Sequence, residues 1–380
     1  MTPDARVTLD HIRSFAADVI APTAPLWSKG QAPEPDLFRK AADLGLFRLQ
    51  VPQSEGGLGL GFAVKARACQ ALAAADFGFA MSVVNTHNVA ARIAASGSPQ
   101  ARAAFLPALL WGEASACTAL TEPDAGSDVA AMRTSARRVG DEWVLNGEKC
   151  WIVNARHAAT AIVFAQTAEQ GDIAGIAAFL VDLTAPGCRR NATGSDFAQA
   201  STGTGGFVLS DVMLPADNLI LPAGQAFHSI MSDINGARTY VAAMCCGMLD
   251  AALHHAGTYG AMRRTFGKTL QAHQGWRLPL ARAETALAAA LALTDAAIHA
   301  VDAGQDAQLQ AAFAKVAATD AACTHLPALL HAMGAEGLRP QYPMARHLAA
   351  AQITALVDGS TEMLLERIAR LARPLTEIQN

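Results

Sequence analysis

Charged residues are scarce in this sequence, and their scarcity argues against several classes of function. Only 16% of the 380 residues are Asp, Glu, Lys or Arg, against roughly 25% in typical soluble domains, whereas 52% are hydrophobic. A formal net charge of −4 and the lack of any basic run of five residues argue against nucleic acid as a partner. No uninterrupted apolar run approaches the ~18 residues that span a bilayer, and the polar start resembles no signal peptide. We therefore expect a soluble, cytoplasmic protein with no membrane partner.

Cysteines are few and follow no pattern. The sequence has seven, none of them in a C-x-x-C pair, and only Cys245 and Cys246 are adjacent. An odd number without regular spacing argues against a disulfide framework and a structural zinc site, so we predict buried free thiols. His254 and His255 are neighbours, and on a helix such side chains diverge by about 100°. The sequence therefore predicts no metal site.

Periodicity divides the chain into three regions, in keeping with a length that exceeds one hydrophobic core. Residues 1–114 show the three-to-four spacing of apolar residues typical of helices, with breaks at Pro22 and Pro25. Residues 224–380 predict long helices joined by short loops, which favour a C-terminal four-helix bundle. The predicted helices are 36–46, 64–75 and 100–110 in the first region, and 225–264, 276–302, 306–333, 343–357 and one after Gly359 in the last.

The middle region, residues 115–223, has the pattern of strands. Asn146 and Gly147 separate two β-prone runs, and Asn-Gly suits both left-handed positions of a type I′ turn, so we predict a hairpin over 142–153. Strands this close together leave no room for helical spacers and predict an antiparallel sheet or small barrel. The predicted fold is therefore α+β and multidomain, with an N-terminal helical domain, a central β domain and a C-terminal helical bundle. Further predicted strands are 161–166, 176–182 and 207–213, with a loop at 196–206.

Four motifs in a fixed order suggest the function. The densest is ALTEPDAGSD at 119–128, where a strand breaks into a turn that offers small side chains and backbone N–H groups to a polar ring. Taken alone, it is also compatible with a surface turn. Together with the other three motifs it closely resembles the signatures of the acyl-CoA dehydrogenase family, over nearly the whole chain. The other motifs are CWIVN at 150–154, RRTFGK at 263–268 followed by His273 and Gln274, and VDGSTE at 357–362.

The resemblance implies a flavoprotein that uses FAD to take two hydrogens from the α and β carbons of an acyl thioester. The thioester would be carried by coenzyme A or by an acyl carrier protein. The implied electron acceptor is an electron-transfer flavoprotein or a similar protein. Family members share flavin contacts between subunits, which implies a homo-oligomer, either a dimer or a homotetramer.

The resemblance also assigns roles to individual residues. Asp358 would be the base that removes the α-proton. Ser127, Asn235, Arg238 and Gly359 would contact the substrate, with Asn235 and Arg238 along the pantetheine channel. The implied FAD contacts, some of them from a neighbouring subunit, are Thr118, Leu120, Thr121, Gly126, Ser127, Trp151, Val153, Arg263, Thr265, Phe266, His273, Gln274, His331, Gly334, Ala335, Ser360 and Glu362.

Departures from the family pattern concern the substrate. Asp358 stands where the family usually has glutamate, and its carboxylate reaches about 1.5 Å less far. Some members carry the base on an earlier helix, but that position here is Ala237, so Asp358 remains the candidate, against an ordinary helix-capping aspartate. Val153 replaces a threonine that would approach the flavin. These differences predict a specialised acyl thioester rather than a standard fatty-acid substrate.

Some alternatives stay open at this stage. A related flavin oxidase of the nitroalkane-oxidase type would use Asp358 as base and oxygen as acceptor. For His87 we favour a hydrogen-bonded helix-end histidine over a residue of the acyl pocket. For Glu122 we favour a structural role.

Overall fold

A computed structural model describes residues 2–191, 197 and 199–372. The chain separates into two units. The helical unit comprises Met1–Lys29, Gly61–Ala80 and Asp233–Asn380, and the sheet unit comprises Gly30–Leu60 and Met81–Ser232. The loop predicted at 196–206 and the end of the region predicted to extend to residue 380 lie partly outside the described residues.

The described residues form eleven α-helices and ten strands. The helices are α1 (Pro3–Phe15), α2 (Ala21–Trp27), α3 (Pro35–Asp43), α4 (Phe62–Ala75), α5 (Phe77–Ser96), α6 (Pro99–Leu110), α7 (Ala226–Met262), α8 (Gln274–Asp302), α9 (Gln308–Met333), α10 (Met344–Thr354) and α11 (Thr361–Ala372). The strands are β1 (Ala116–Ala119), β2 (Ser135–Val139), β3 (Glu142–Ile152), β4 (Thr160–Gln166), β5 (Ile176–Asp182), β6 (Cys188–Asn191), β7 (Gly205–Pro215), β8 (Leu219–Leu221), β9 (Arg264–Thr265) and β10 (Lys268–Thr269). This helix–sheet–helix order is the predicted fold.

Capping residues in the sequence explain where helices begin. Thr2 caps α1 and Ser98 caps α6, each followed directly by a proline, and the Ser98 Oγ accepts from a backbone N–H at 3.0 Å. The break predicted at Pro22 and Pro25 is wrong. A π-helical turn, Ala16–Ile20, joins α1 to α2, and Pro22 lies in the first turn of α2, where a missing N–H costs little.

The sheet is mixed rather than purely antiparallel. Its strand order is β6-β7-β3-β2-β4-β5-β8, and β1 pairs with β4 in parallel. A parallel bridge also joins Ser135 of β2 to Gln166 of β4. The remaining pairings are antiparallel, as predicted.

The hairpin predicted at Asn146 and Gly147 is wrong. β3 runs unbroken through both residues, and its register with β7 shifts there, which marks a β-bulge. The Asn146 side chain pairs with Asp211 across the bulge, through two hydrogen bonds of 2.9 Å. The true turn lies earlier, at Gly140 and Asp141 between β2 and β3, where Gly140 supplies the positive φ of 60°.

Two apolar cores flank the sheet. The residues of β4 and β5 alternate between them, so both strands are buried on both faces. One core also contains residues of α5 and α6, and the other is formed by strands and their connections alone. Burial on both faces explains why β4 and β5 read as continuous apolar runs.

In the helical unit, α9 packs against α8, α10 and α11. Among the described helices, α8 alone is long and apolar enough, by length and composition, to cross a membrane. Charged residues such as Glu284 and Asp295 interrupt its apolar stretch, so the sequence still has no uninterrupted apolar run of ~18 residues. The signal is weak, because core helices of soluble proteins pass the same test and α8 packs along α9.

Candidate active site

The connection between α10 and α11 carries the predicted base. Asp358 has a left-handed backbone with φ 55°, and Gly359 follows it with φ 96°. Both flanks are fixed, because the N–H groups of Val357 and Thr361 donate to carbonyls at the C-terminal end of α10. Within the described part of the chain, the N–H of Asp358 makes no hydrogen bond. It is therefore available to a ligand.

Ser360, rather than Asp358, caps α11. The Ser360 Oγ accepts from the Met363 N–H at 3.4 Å. Glu362, in the first turn, is exposed, and backbone N–H and Ser360 hydrogen bonds lower its pKa. The interpretation of Asp358 as a helix cap is therefore wrong. The flavin contacts of Ser360 and Glu362 stay predictions.

Two buried cations lie against the Asp358 segment. Arg238 of α7 donates from Nε to the Asp358 carbonyl at 3.0 Å. Lys315 of α9 donates to the carbonyl of Val357 and, at 2.5 Å, to that of Gly359. Burial raises the pKa of the Asp358 carboxyl, and the charges of Lys315 and Arg238 only partly offset this. A raised carboxyl pKa suits a group that must take up a proton.

The residues predicted to bind substrate in the helical unit lie together beside this segment. Asn235 and Arg238 are both buried, and Arg238 Nη1 donates to Asn235 Oδ1 at 3.1 Å. A Cβ at Gly359 would lie 3.3 Å from Arg238 Nη2, so glycine lets the backbone pass close to the guanidinium. Ala237 lies on the same helix and offers no carboxylate. The structure therefore groups Asn235, Arg238 and Gly359 with Asp358.

In the sheet unit, a buried ion pair fixes the first motif. Lys149 of β3 donates to Glu122 Oε1 at 2.8 Å and to the Leu120 carbonyl at 2.9 Å, and Glu122 also accepts from the N–H groups of Arg133 and Thr134. Burial raises the pKa of Glu122, but Lys149 and these hydrogen bonds outweigh it, so the pKa is lowered overall. Burial lowers the pKa of Lys149 to about 8. Both groups are charged at neutral pH, and Glu122 has the structural role we predicted.

The turn after Glu122 presents the groups predicted to meet the flavin. Thr118 and Ser127 are exposed, and Thr121 is half-buried. Among the described residues, nothing accepts from the N–H groups of Gly126 and Ser127, and a Cβ on Gly126 would meet no atom within 4 Å. Open N–H groups beside hydroxyls suit an anionic, oxygen-rich ligand.

The end of β3 lies beside this turn. The Cys150 N–H donates to the Thr121 carbonyl at 3.1 Å. Trp151, the next residue, has φ 57° and is 61% exposed, and Val153 is half-buried. A large exposed indole is unusual on a protein surface, and a flat aromatic ligand would cover it. The sheet unit therefore suits a flavin: the open N–H groups of the turn would hold an oxygen-rich part of the cofactor, and Trp151 would cover a ring system.

Asn154 anchors this end of the strand. It is fully buried with φ 68°, and its Nδ2 donates to the carbonyls of Ser82 and Ala116, both at 2.9 Å, and to Thr86 Oγ1 at 3.2 Å. Its Oδ1 accepts from the Ser82 hydroxyl at 2.5 Å. Sequence reasoning named Asn154 only as part of a motif. A polar residue ending an apolar strand was the available signal.

In the helical unit, a short hairpin of β9 and β10 carries the predicted nucleotide contacts. Its turn, Phe266 and Gly267, has φ 49° and 80°, so both central residues are left-handed, as in a type I′ turn. Phe266 is 96% exposed. Thr265 Oγ1 lies 3.3 Å from His273 Nε2, and the exposed Gln274 opens α8. Arg263, just before the hairpin, is also exposed.

Trp276 joins this hairpin region to the end of α9. Its indole N–H donates to the Ala332 carbonyl at 2.9 Å. His331, Gly334 and Ala335, all predicted to contact FAD, are exposed at this end of α9, and Gly334 has φ 61°. The two predicted nucleotide segments are thus neighbours. Sequence reasoning missed Trp276, although a tryptophan in the first turn of a helix was a signal.

Left-handed backbone marks the same motifs without reference to any relative. In the described chain, six non-glycine residues have positive φ, and four of them belong to the motifs: Trp151, Asn154, Phe266 and Asp358. Such conformations cost about 1–2 kcal/mol per residue and persist where the surroundings enforce them, often at functional sites.

Two other candidates are less informative. His87 is buried within α5, and its Nε2 accepts from the Gln50 N–H at 3.2 Å. It is hydrogen-bonded as predicted, although inside the helix rather than at its end. Among the described residues, no group of three or more His, Cys, Asp or Glu could hold a metal ion.

Three family profiles cover most of the chain. They describe the N-terminal, middle and C-terminal domains of acyl-CoA dehydrogenase and match residues 2–113, 117–212 and 224–372. The human mitochondrial short-chain specific acyl-CoA dehydrogenase is 32% identical over 360 residues, which is 94% of this chain and 87% of the relative.

Solved structures agree with this match. A chain from a structure of the electron transferring flavoprotein of Acidaminococcus fermentans superposes with a TM-score of 0.92 at 27% identity, covering 100% of this chain and 99% of that one. A glutaryl-CoA dehydrogenase from Mycobacterium smegmatis in complex with FADH2 has a TM-score of 0.90 at 28% identity, covering 100% of this chain and 97% of that one.

Proposed function

The chain belongs to the acyl-CoA dehydrogenase family and uses FAD, and we propose that it removes two hydrogens from a short or otherwise compact acyl-CoA with Asp358 as the base. Its relatives support FAD-dependent acyl-CoA dehydrogenation in general. The choice of base and the size of the acyl group are our proposal.

The backbone geometry of Asp358 carries the proposal. Its left-handed conformation is held by Arg238 and Lys315, and its own N–H is open to a ligand. One residue thereby offers a hydrogen-bond donor and a carboxylate. A thioester needs both at once, because the α-proton becomes acidic only when the carbonyl oxygen is stabilised as negative charge develops.

The proton transfer follows from this arrangement. The Asp358 N–H donates to the thioester carbonyl, and the carboxylate accepts the α-proton and becomes neutral. When bound, FAD supplies the acceptor for the hydride that leaves the β-carbon, so the substrate loses one proton and one hydride. Protonation of Asp358 is favoured because burial raises its carboxyl pKa. Activity should therefore rise with pH as the Asp358 carboxyl ionises. The midpoint of this rise should lie above the usual pKa of an aspartate, because burial raises the pKa of Asp358.

The short side chain of Asp358 is the basis for the proposed substrate. Aspartate reaches about 1.5 Å less far than glutamate. The α-carbon must therefore lie closer to the α10–α11 connection than it would for a glutamate base. The human relative is named for short chains, which supports a compact acyl group. Asn235 and Arg238, buried beside Asp358, would lie along the pantetheine arm.

A FAD-dependent acyl-CoA dehydrogenase also needs an electron acceptor, and this suggests partners for the chain. We propose an electron-transferring flavoprotein as the acceptor, because one of the solved structures that this chain matches concerns such a protein. We also propose a homo-oligomer, either a dimer or a tetramer. The exposed aromatic rings of Phe266 and Trp151 support this, because contacts between subunits would cover them. The comparisons do not favour the oxidase alternative. A carrier-bound acyl group remains a second form of substrate for the test below.

Anaerobic flavin bleaching tests the proposal. The holoenzyme is mixed with butyryl-CoA, isovaleryl-CoA, glutaryl-CoA, octanoyl-CoA or butyryl-acyl carrier protein, and loss of visible flavin absorbance is followed. We expect rapid bleaching by a short acyl-CoA and no reoxidation in air at a matching rate. Absence of bleaching with every thioester would sink the proposal. Fast reoxidation by oxygen would favour the oxidase instead.

A further inference from the structure

The ammonium group of Lys315 contacts the backbone on both sides of Asp358 but neither donates nor accepts a proton in the proposed reaction. The residue is only 1% exposed and projects from α9. It donates to the carbonyls of Val357 and Gly359, the two residues that flank Asp358. Sequence reasoning did not single it out, although a lysine in an alanine-rich helix was visible.

Three consecutive carbonyls are held by two cations. Lys315 donates hydrogen bonds to the carbonyls of Val357 and Gly359. Arg238 donates to the carbonyl between them, that of Asp358, at 3.0 Å. Two carbonyls can converge on one ammonium only if the residue between them bends sharply. The positive φ of Asp358 and of Gly359 supplies that bend. Lys315 thus enforces a conformation that aspartate would otherwise rarely adopt.

We propose that Lys315 is a positioning residue for proton abstraction, which holds the Asp358 segment in its left-handed form and uses its positive charge to favour the ionised carboxylate. The proposal rests on the function proposed above, with Asp358 as base. It concerns how the Asp358 carboxylate is positioned and kept ionised, rather than which residue is the base.

The charges around Lys315 support an electrostatic part as well as a geometric one. Burial lowers the pKa of Lys315 to about 8, Asp358 and Cys245 act to raise it, and Arg238 acts to lower it. Burial, and to a lesser extent the positive charge of Arg367 on α11, lowers the pKa of Arg238 to about 10. Lys315 is therefore mainly charged below about pH 8, where its charge holds the pKa of Asp358 lower than burial alone would.

A purely structural role makes a different prediction. A buried lysine could simply satisfy two carbonyls beyond the end of α10, which a neutral donor would do almost as well. Removing it would then lower thermal stability without altering the pH dependence of the reaction. The positioning role and the purely structural role predict different pH profiles. They differ in the acid limb, the rise of the flavin-reduction rate with pH, which reports the ionisation of the base.

The test is stopped-flow flavin reduction by butyryl-CoA, or by the best thioester of the panel above, across pH. Lys315→Met removes the charge and both hydrogen bonds, Lys315→Gln keeps a donor without charge, and Lys315→Arg keeps the charge. Lys65→Met is the matched control, because Lys65 is another cation of the helical unit with a pKa lowered by burial to about 8, and it lies over the rings of Phe62 and Tyr240.

We expect Lys315→Met to bind FAD and thioester but to slow the limiting reduction rate about 100-fold, the effect of a misplacement of about 1 Å. Its acid limb should move to higher pH. Lys315→Gln should show the same shift with a smaller loss of rate, and Lys315→Arg should keep the acid limb in place. Lys65→Met should leave both the limb and the limiting rate unchanged.

An unchanged acid limb in both neutral variants would overturn the proposal, whatever their stability. If Lys315→Met does not fold, Lys315→Gln decides on the same criterion. Asp358→Asn, measured in parallel, separates this proposal from the function itself. If Asp358→Asn reduces flavin normally, the assignment of the base fails. If it is inactive while both neutral Lys315 variants keep the wild-type acid limb, only the role of Lys315 fails.

Discussion

At the residue scale, conformational strain and buried polarity coincide. Asp358 and Asn154 both have left-handed backbones, and each is held by hydrogen bonds to neighbouring elements. A left-handed backbone costs most L-residues about 1–2 kcal/mol, and less in asparagine and aspartate, whose short polar side chains can hydrogen-bond locally. The surrounding contacts must therefore offset that cost, and removing them should be measurable at single residues.

Asn154→Ala should destabilise the sheet unit by about 2 kcal/mol or more. The substitution removes an amide that donates to Ser82, Thr86 and Ala116, and it leaves buried polar groups without partners. Urea unfolding measures the loss. The matched control is Asn146→Ala at the exposed bulge, where we expect less than about 1 kcal/mol. Equal losses at the two asparagines would refute the anchoring role.

Asp358→Asn should change stability in a pH-dependent way. Burial raises the pKa of the folded carboxyl above its unfolded value, so its contribution to stability is complete below the unfolded pKa and is lost as pH rises through the folded pKa. The asparagine variant avoids this loss. Its melting temperature relative to wild type should increase from acidic to neutral pH. A difference that does not vary with pH would argue against a raised pKa.

At the element scale, ion pairs and aromatic contacts fix the position of whole segments. The Glu122–Lys149 pair ties the first motif to β3, and Trp276 ties the start of α8 to the end of α9. Neither link was predicted, because each depends on which elements become neighbours. Periodicity gives the faces of single elements and contains no such information.

Lys149→Met should destabilise the protein by about 3–5 kcal/mol and weaken FAD binding. It leaves the buried Glu122 carboxylate without its counter-charge. Adding Glu122→Gln should recover part of the loss, as a double-mutant cycle by urea unfolding and flavin titration would reveal. For comparison, Lys40→Met breaks the exposed pair with Asp36 and should cost less than about 1 kcal/mol. Additive effects of the two buried substitutions would contradict the pairing.

Gly260→Ala should cost about 1–3 kcal/mol, because its Cβ would overlap the Trp276 ring. Gly257→Ala, three residues earlier on α7, meets nothing within 4 Å and should be neutral or stabilise by up to about 1 kcal/mol. Thermal unfolding of both variants measures the contrast. We also expect weaker FAD binding only in the first, since Trp276 joins the predicted nucleotide segments. If Gly260→Ala and Gly257→Ala unfold at similar temperatures and bind FAD equally well, Trp276 does not hold the predicted nucleotide segments together.

At the scale of the whole molecule, the order of helices, sheet and helices was predictable, and so was the family. Long amphipathic segments and short β-prone runs carry strong local signals, and four motifs in order rarely arise by chance. The hairpin at Asn146 was not predictable in the same way. Asn-Gly serves a bulge as well as a turn, and only the partner strand β7, about 60 residues later in the chain, decides between them.

The site shows a similar division. Asp358 was named from a motif and Arg238 from the family resemblance, and in the structure Arg238 Nε lies 3.0 Å from the Asp358 carbonyl oxygen. Lys315 was missed because its partners are backbone carbonyls on a distant connection. Such a contact leaves no pattern in the sequence. The backbone conformation of Asp358, rather than any residue pattern, pointed to the contacts that hold the proposed base.

Exchange of the α-proton tests the central claim most directly. A 3-thiaacyl-CoA has sulfur in place of the β-carbon, so it can lose its α-proton but cannot donate a hydride. The holoenzyme in deuterated water should incorporate deuterium at the α-carbon, as measured by mass spectrometry. Asp358→Asn should bind the analogue yet exchange about 10²–10⁴-fold more slowly, the usual contribution of a general base. Exchange by Asp358→Asn at the wild-type rate would contradict the assignment of Asp358 as the base.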